Sequence, residues 1–108
     1  MDLVAQTEDE RGSILALFFE TAESILDEMR AANDRECDVE WKGAAHRLRG
    51  VSANIGTRSL ETLCFEAEKQ ACAVKAVRTA LLREIILELS VIKAFLAEKG
   101  LFSPDRGC

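Results

Sequence analysis

His46 is the only histidine in this 108-residue chain, and the residues spaced around it suit one kind of chemistry. It lies in WKGAAHRLRGVSANIG, the stretch from Trp41 to Gly56. At about 100° per helical residue, Trp41, Ala44, Leu48, Val51 and Ile55 fall within roughly 40° of one direction, and His46 points the opposite way. Its own stripe carries Lys42 one turn before, Arg49 and Gly50 one turn after, and Ala53 a turn further on. A solitary histidine on an apolar face is ordinarily a satisfied core residue, but this projection turns His46 to water. Imidazole titrates near neutrality, so its free nitrogen is a nucleophile at cellular pH without the activation that a hydroxyl needs. Arg49 and Lys42 can pair with the oxygens of a phosphoryl group carried on that nitrogen. Gly50 and Ala53 leave the surface flat enough for a second protein to reach the ring.

The elements that must hold this stripe are all helical. Thr7 with Glu10 reads as a capping box, weakened by Gly12, and Ile14, Leu15, Phe18, Phe19, Ala22, Ile25, Leu26 and Met29 form a broad apolar stripe to about Ala32. Leu17 lies off that stripe, either as an ordinary exposed apolar residue or as part of a docking surface. Asn33 to Cys37 reads as a polar connection, with Asp38 as N-cap of a second helix that stops at Gly56. Thr57 or Ser59 opens a third helix, with Leu60, Leu63, Cys64, Ala67 and Ala71 on one side. A fourth runs from about Val77 to Lys99, carrying Leu81, Leu82, Ile85, Leu89, Ile92 and Leu96, and Gly100 ends it. A second line on it, Leu87, Val91 and Phe95, calls for cover from the N-terminal residues, from the tail LFSP, or from a dimer partner.

Such stripes with short links predict one all-α domain over 1–108, an antiparallel up-down-up-down four-helix bundle spanning about 7–100. A short extra N-terminal helical turn is allowed for, and 1–6 and 103–108 are expected to fray. Apolar residues make up 48% of the chain and charged residues 31%, with one Pro and no Tyr, which suits a globular helical domain. A net charge of −5 argues against nucleic acid or an anionic membrane as partner. Cys37, Cys64, Cys72 and Cys108 form no CxxC pair and have no second histidine to complete a zinc set, so free thiols, no metal and a reducing compartment are expected. Neither a signal peptide nor a membrane span is evident, so a soluble, cytoplasmic monomer is expected, and the initial Met favours a stand-alone chain.

The segment AHRLRGVSANIGTRSLETLCFEAE, about a quarter of the chain, resembles the signature of histidine-containing phosphotransfer (HPt) domains. That signature has a histidine, a basic residue three on, glycine four on and a small residue seven on, then glycine, leucine and often cysteine. Here they are His46, Arg49, Gly50, Ala53, Gly56, Leu60 and Cys64. Two departures are mild: Arg49 stands where lysine is commoner, and Val51 where a small polar residue is frequent. The resemblance implies a phosphorelay intermediate that takes a phosphoryl group on His46 from a receiver-domain aspartate and passes it to another response-regulator receiver. The donor is a receiver or a hybrid sensor kinase. The chain itself has no autokinase activity in this reading, and the Mg²⁺ comes with the receiver. Glu68 is then the group expected to hold the other ring nitrogen. The rival reading is a bundle that docks on receivers without carrying phosphate.

Overall fold

The structure, a computed structural model, describes the backbone of residues 8–101 and the side chains of 12–101. Four helices follow one another: α1 (Glu8–Asp34), α2 (Asp38–Asn54), α3 (Arg58–Lys69) and α4 (Lys75–Glu98). Each packs on its sequence neighbour, and α4 closes the bundle against α1. Cross-helix contacts give the direction. Between α1 and α4, Asn33 meets Thr79 while Glu23 meets Lys93; between α3 and α4, Ser59 meets Glu88, while Arg78 meets Ala71 just past the end of α3. Numbers rise on one helix as they fall on the other, so these neighbours are antiparallel, and the expected all-α four-helix bundle is what forms.

The stripes bury largely as their spacing requires. From α1, Leu15, Phe18, Phe19, Ala22, Ile25, Leu26, Met29 and Ala32 are buried, and from α4 Leu81, Leu82, Ile85 and Leu89, with Ile92 and Leu96 packed at the edge. On α2 the buried set is Trp41, Ala44, Ala45, Leu48 and Ser52, with Val51 and Ile55 only partly covered. The inward face is thus turned by roughly 40° from the expected one, about the angle that admits Ala45 and Ser52. The small residues Ala45 and Ser52 of α2 and Cys64 and Ala67 of α3 are all fully buried, and the Ser52 hydroxyl is in hydrogen-bond contact with the Cys64 thiol. Small side chains on both sides bring the two backbones close.

The helix ends correct several sequence expectations. The N-cap of α2 is Cys37, not Asp38, and it makes no side-chain capping bond; Asp38 is the first helical residue. α1 runs past Asn33 to Asp34, where Cys37 N–H donates to Ala32 and Glu36 N–H to Asn33, a Schellman closure with Glu36 at φ 51°. The same closure ends α2 at Gly56, φ 76°, where a left-handed residue is needed and glycine meets the need without a Cβ clash. Thr57 occupies the N-cap of α3 without capping it; its hydroxyl donates to the Ser52 carbonyl at 3.1 Å instead. α3 stops at Lys69, short of Ala71, and α4 starts at Lys75, ahead of Val77. Leu87, Val91 and Phe95 stay more than half exposed among the described residues. The capping box at Thr7, the extra N-terminal turn, and the terminal segments 1–6 and 103–108 lie outside the described residues, and so does most of the tail invoked as cover.

Cys64 shows what the α2–α3 seam does to a polarisable group. Burial pushes its thiol up to about 12 from the usual 9.0, against the milder opposing effect of the Ser52 hydroxyl. The folded chain therefore keeps a proton that the unfolded chain loses near pH 9. Stability from this group is complete below pH 9 and is expected to fall by up to about 1.4 kcal/mol per pH unit as pH rises towards 12. Urea midpoints taken between pH 8 and pH 11 should show an alkaline decline that Cys64→Ala flattens. Iodoacetamide should modify the exposed Cys72 in the native state and spare Cys64.

Candidate functional site

The outward face of α2 and the end of α3 make the site. The His46 side chain is 64% exposed, so the ring stands in water as its spacing predicted. Because α3 runs back along α2 across the small-residue seam, Glu68 emerges beside it. Glu68 Oε2 lies 3.3 Å from His46 Nδ1, and the Glu68 side chain is only 13% exposed. Arg49 sits one turn along α2, its Nε 3.3 Å from Glu68 Oε1 and its Nη2 3.5 Å from the same His46 Nδ1. The buried Oε1 accepts no hydrogen bond from any described group, so Arg49 meets it as an ion pair off the hydrogen-bonding line.

Two groups of opposite character thus approach Nδ1, and their chemistry favours a proton on Nδ1 in the neutral ring. A guanidinium can only donate, and a carboxylate only accepts. A bare Nδ1 would set its lone pair against a full negative charge at 3.3 Å, whereas Nδ1–H donates to Glu68 and leaves Arg49 at the limit of contact. With the proton on Nδ1, Nε2 carries the lone pair, and Nε2 has no hydrogen-bond partner among the described residues.

Sequence reasoning placed seven residues here, and the structure gathers them unequally. His46, Arg49 and Glu68 are in mutual contact. Gly50 and Ala53 are exposed on the same side of α2. A Cβ built on Gly50 would meet nothing within 4 Å, so the bundle itself does not require glycine there. Lys42 is exposed one turn before His46 and has no ion-pair partner among the described residues. Leu17 is 62% exposed on α1, apart from this contact network.

A family model for the Hpt domain matches residues 13–97, which takes in His46, Glu68 and nearly the whole bundle. The chain belongs to the Hpt domain family. Histidine-containing phosphotransfer protein 2 of Arabidopsis thaliana is 27% identical over 90 residues, which cover 79% of this chain and 57% of that protein. The chain thus spans little more than half the length of that relative. No solved structure matches it significantly. Hpt domains are phosphocarriers rather than enzymes, and membership supports a phosphorelay role in general terms. No helix among the described residues of this Hpt domain is long and apolar enough to cross a membrane.

Two residues of this Hpt domain escaped sequence reasoning. Phe65 is 46% exposed, with the Arg49 guanidinium 5.1 Å and Lys69 Nζ 5.2 Å from its ring centroid. An aromatic residue on the outer side of α3, one turn before a lysine, was the available signal. Arg78 is buried although it is charged. Its Nε donates to Asn33 Oδ1 at 2.9 Å, its Nη1 to the carbonyls of Ala71 and Ala73, and Asp38 and Glu36 lie at 3.6 and 3.9 Å. One guanidinium thereby ties the end of α1, the start of α2 and the α3–α4 link. Trp41 helps from inside, donating its indole N–H at 2.8 Å to Ala67 O, a carbonyl in the last turn of α3. These ties hold the end of α3, and with it Glu68, against α2.

Proposed function

We propose that this chain is a phosphorelay intermediate in which His46 Nε2 accepts a phosphoryl group from the aspartyl phosphate of a receiver domain and passes it to another receiver aspartate. The observation that carries this reading is the pairing of Nδ1 with Glu68, which leaves Nε2 as the open, lone-pair nitrogen on an exposed ring. In the forward step the Nε2 lone pair forms a bond to phosphorus in line with the departing oxygen. The P–O bond to the aspartate breaks, and the carboxylate leaves with the electron pair. The ring becomes a phosphoimidazolium with its proton still on Nδ1, and Glu68 offsets that positive charge. Arg49, and Lys42 at the margin, offset the negative charge of the phosphoryl oxygens. The Mg²⁺ belongs to the receiver. Positioning and charge neutralisation then account for the catalysis, and the chain needs no nucleotide site of its own.

The partner has to reach the ring along α2, and Gly50 is where it passes. A shallow groove beside it, between α1 and α2, is lined by Glu20, Ser24, Glu28, Arg47, Gly50 and Val51, and the exposed Leu17, one helical turn before Glu20, extends this side of α1 as further docking surface.

The test is incubation of the chain with a phosphorylated receiver. A relay protein takes an acid-labile, base-stable label and gives it up to a second, unphosphorylated receiver. No label from any receiver tried would leave a docking module without phosphate. Gly50→Gln gives the same assay a sharper form, since its two effects have opposite signs. Stability should rise by about 0.5–1 kcal/mol, because glycine inside a helix is unfavourable and the new side chain meets open space. Transfer should fall at least about tenfold, as the longer side chain stands where the receiver docks. Thermal melting and transfer rates measured on one preparation check both.

A further inference from the structure

We propose that Phe65 is a positioning residue, its ring holding the Arg49 guanidinium beside His46 with the in-plane N–H groups left free for phosphoryl oxygens. The inference rests on the relay reading for its kinetic consequence and on the geometry alone for the contact itself. An arginine side chain is long and loses much rotamer freedom when it is fixed, so a partly exposed one such as Arg49 holds a single place only if something restrains it. Glu68 does so incompletely: its Oε1 is near Arg49 Nε at 3.3 Å but accepts no hydrogen bond from it. The second restraint is Phe65, one turn before Lys69 on α3, with the Arg49 Cζ 5.1 Å from its ring centroid. That is within the range of a cation–π contact.

The two restraints differ in what they leave available. A carboxylate occupies the N–H edge of a guanidinium, whereas an aromatic face attracts its charge and leaves the edge donors open. Phe65 therefore suits an arginine that must stay in place and still donate to a newly arrived anion. Lys69 shares the ring at 5.2 Å but is also paired with Glu66 at 3.2 Å, so Arg49 is the cation of the pair that reaches His46.

The experiment compares Phe65→Leu and Phe65→Tyr with the parent chain, each alone and with Arg49→Ala. In the unphosphorylated protein, the Arg49 Nε–H resonance should carry an aromatic ring-current shift that Leu removes and Tyr keeps. In transfer from a phosphorylated receiver, Leu should slow uptake or shorten the phosphohistidine lifetime by about two- to fivefold, the size of one exposed cation–π contact. Tyr should restore it, and in the Arg49→Ala background Leu should add nothing. An Arg49 resonance unmoved by Leu overturns the proposal, and so does a Leu effect of equal size with Arg49 absent. A parent chain that takes no label overturns the relay reading alone, since the resonance still decides whether Phe65 holds Arg49.

Discussion

His46→Gln is expected to yield a folded, cooperatively melting bundle that takes up no acid-labile phosphate from any receiver that labels the parent chain. The fold should survive because the ring is 64% exposed and its described contacts are Glu68 at 3.3 Å and Arg49 at 3.5 Å. With the imidazole itself in water, the pair contributes about 1 kcal/mol, and glutamine is a good helix former at a solvent-facing position that keeps a donor towards Glu68. The chemistry should vanish for a different reason. A carboxamide nitrogen has its lone pair delocalised into the carbonyl, so it cannot attack phosphorus, however well Glu68 and Arg49 are placed. No other histidine exists to take over. Receiver docking should persist, since the docking surface proposed above, Gly50, Ala53 and the α1 side, is unchanged, and a binding measurement beside the transfer assay separates the two. Label that persists in this variant would place the acceptor elsewhere. A variant that unfolds would show that the imidazole has a structural task.

Leu48→Asp, two residues further along the same helix, should do the reverse and remove the fold itself. Leu48 is fully buried on the inward face of α2, with Trp41, Ala44 and Ala45. Losing its burial costs about 1.5–3 kcal/mol, and a carboxylate put in its place has no partner there and adds several kcal/mol more. The sum, about 5 kcal/mol or greater, is comparable to the whole stability of a domain of this size. Loss of helical circular dichroism or of the cooperative urea transition at room temperature checks it. A variant with the parent's midpoint would mean that α2 presents another face to the core. Together the two substitutions test the orientation of one helix from both sides.

That orientation was legible in the chain because helical geometry fixes the directions of residues a few positions apart whatever surrounds the helix. It separated His46 from Leu48, and it put Arg49, Gly50 and Ala53 on the histidine's side. The fine rotation was not legible. Ala45 and Ser52 are inside, Ser52 against Cys64 of α3, and periodicity on one helix does not know what its neighbour presents. Helix ends followed the same division. Gly56 and Gly100 mark two Schellman closures openly, at φ 76° and 73°. The third hides behind Glu36, a residue type that seldom takes a left-handed conformation, and so the end of α1 was misplaced.

Arg78 shows the limit most plainly. Its position in α4 reads as an ordinary charged surface residue, and its acceptors come from Asn33, more than forty residues away, and from the carbonyls of the link before α4. By itself, then, the sequence determined that this is a helical bundle carrying one outward histidine among cations and bare backbone, since short-range periodicity and residue type suffice for that. The family resemblance pointed to Glu68 as the ring's partner, but only the tertiary structure decided that its Oε2 stands 3.3 Å from Nδ1, that Phe65 lies under Arg49 and that Arg78 is interior. Each of these depends on the distance and rotation between different helices, which are set by how their side chains pack together and by no residue alone.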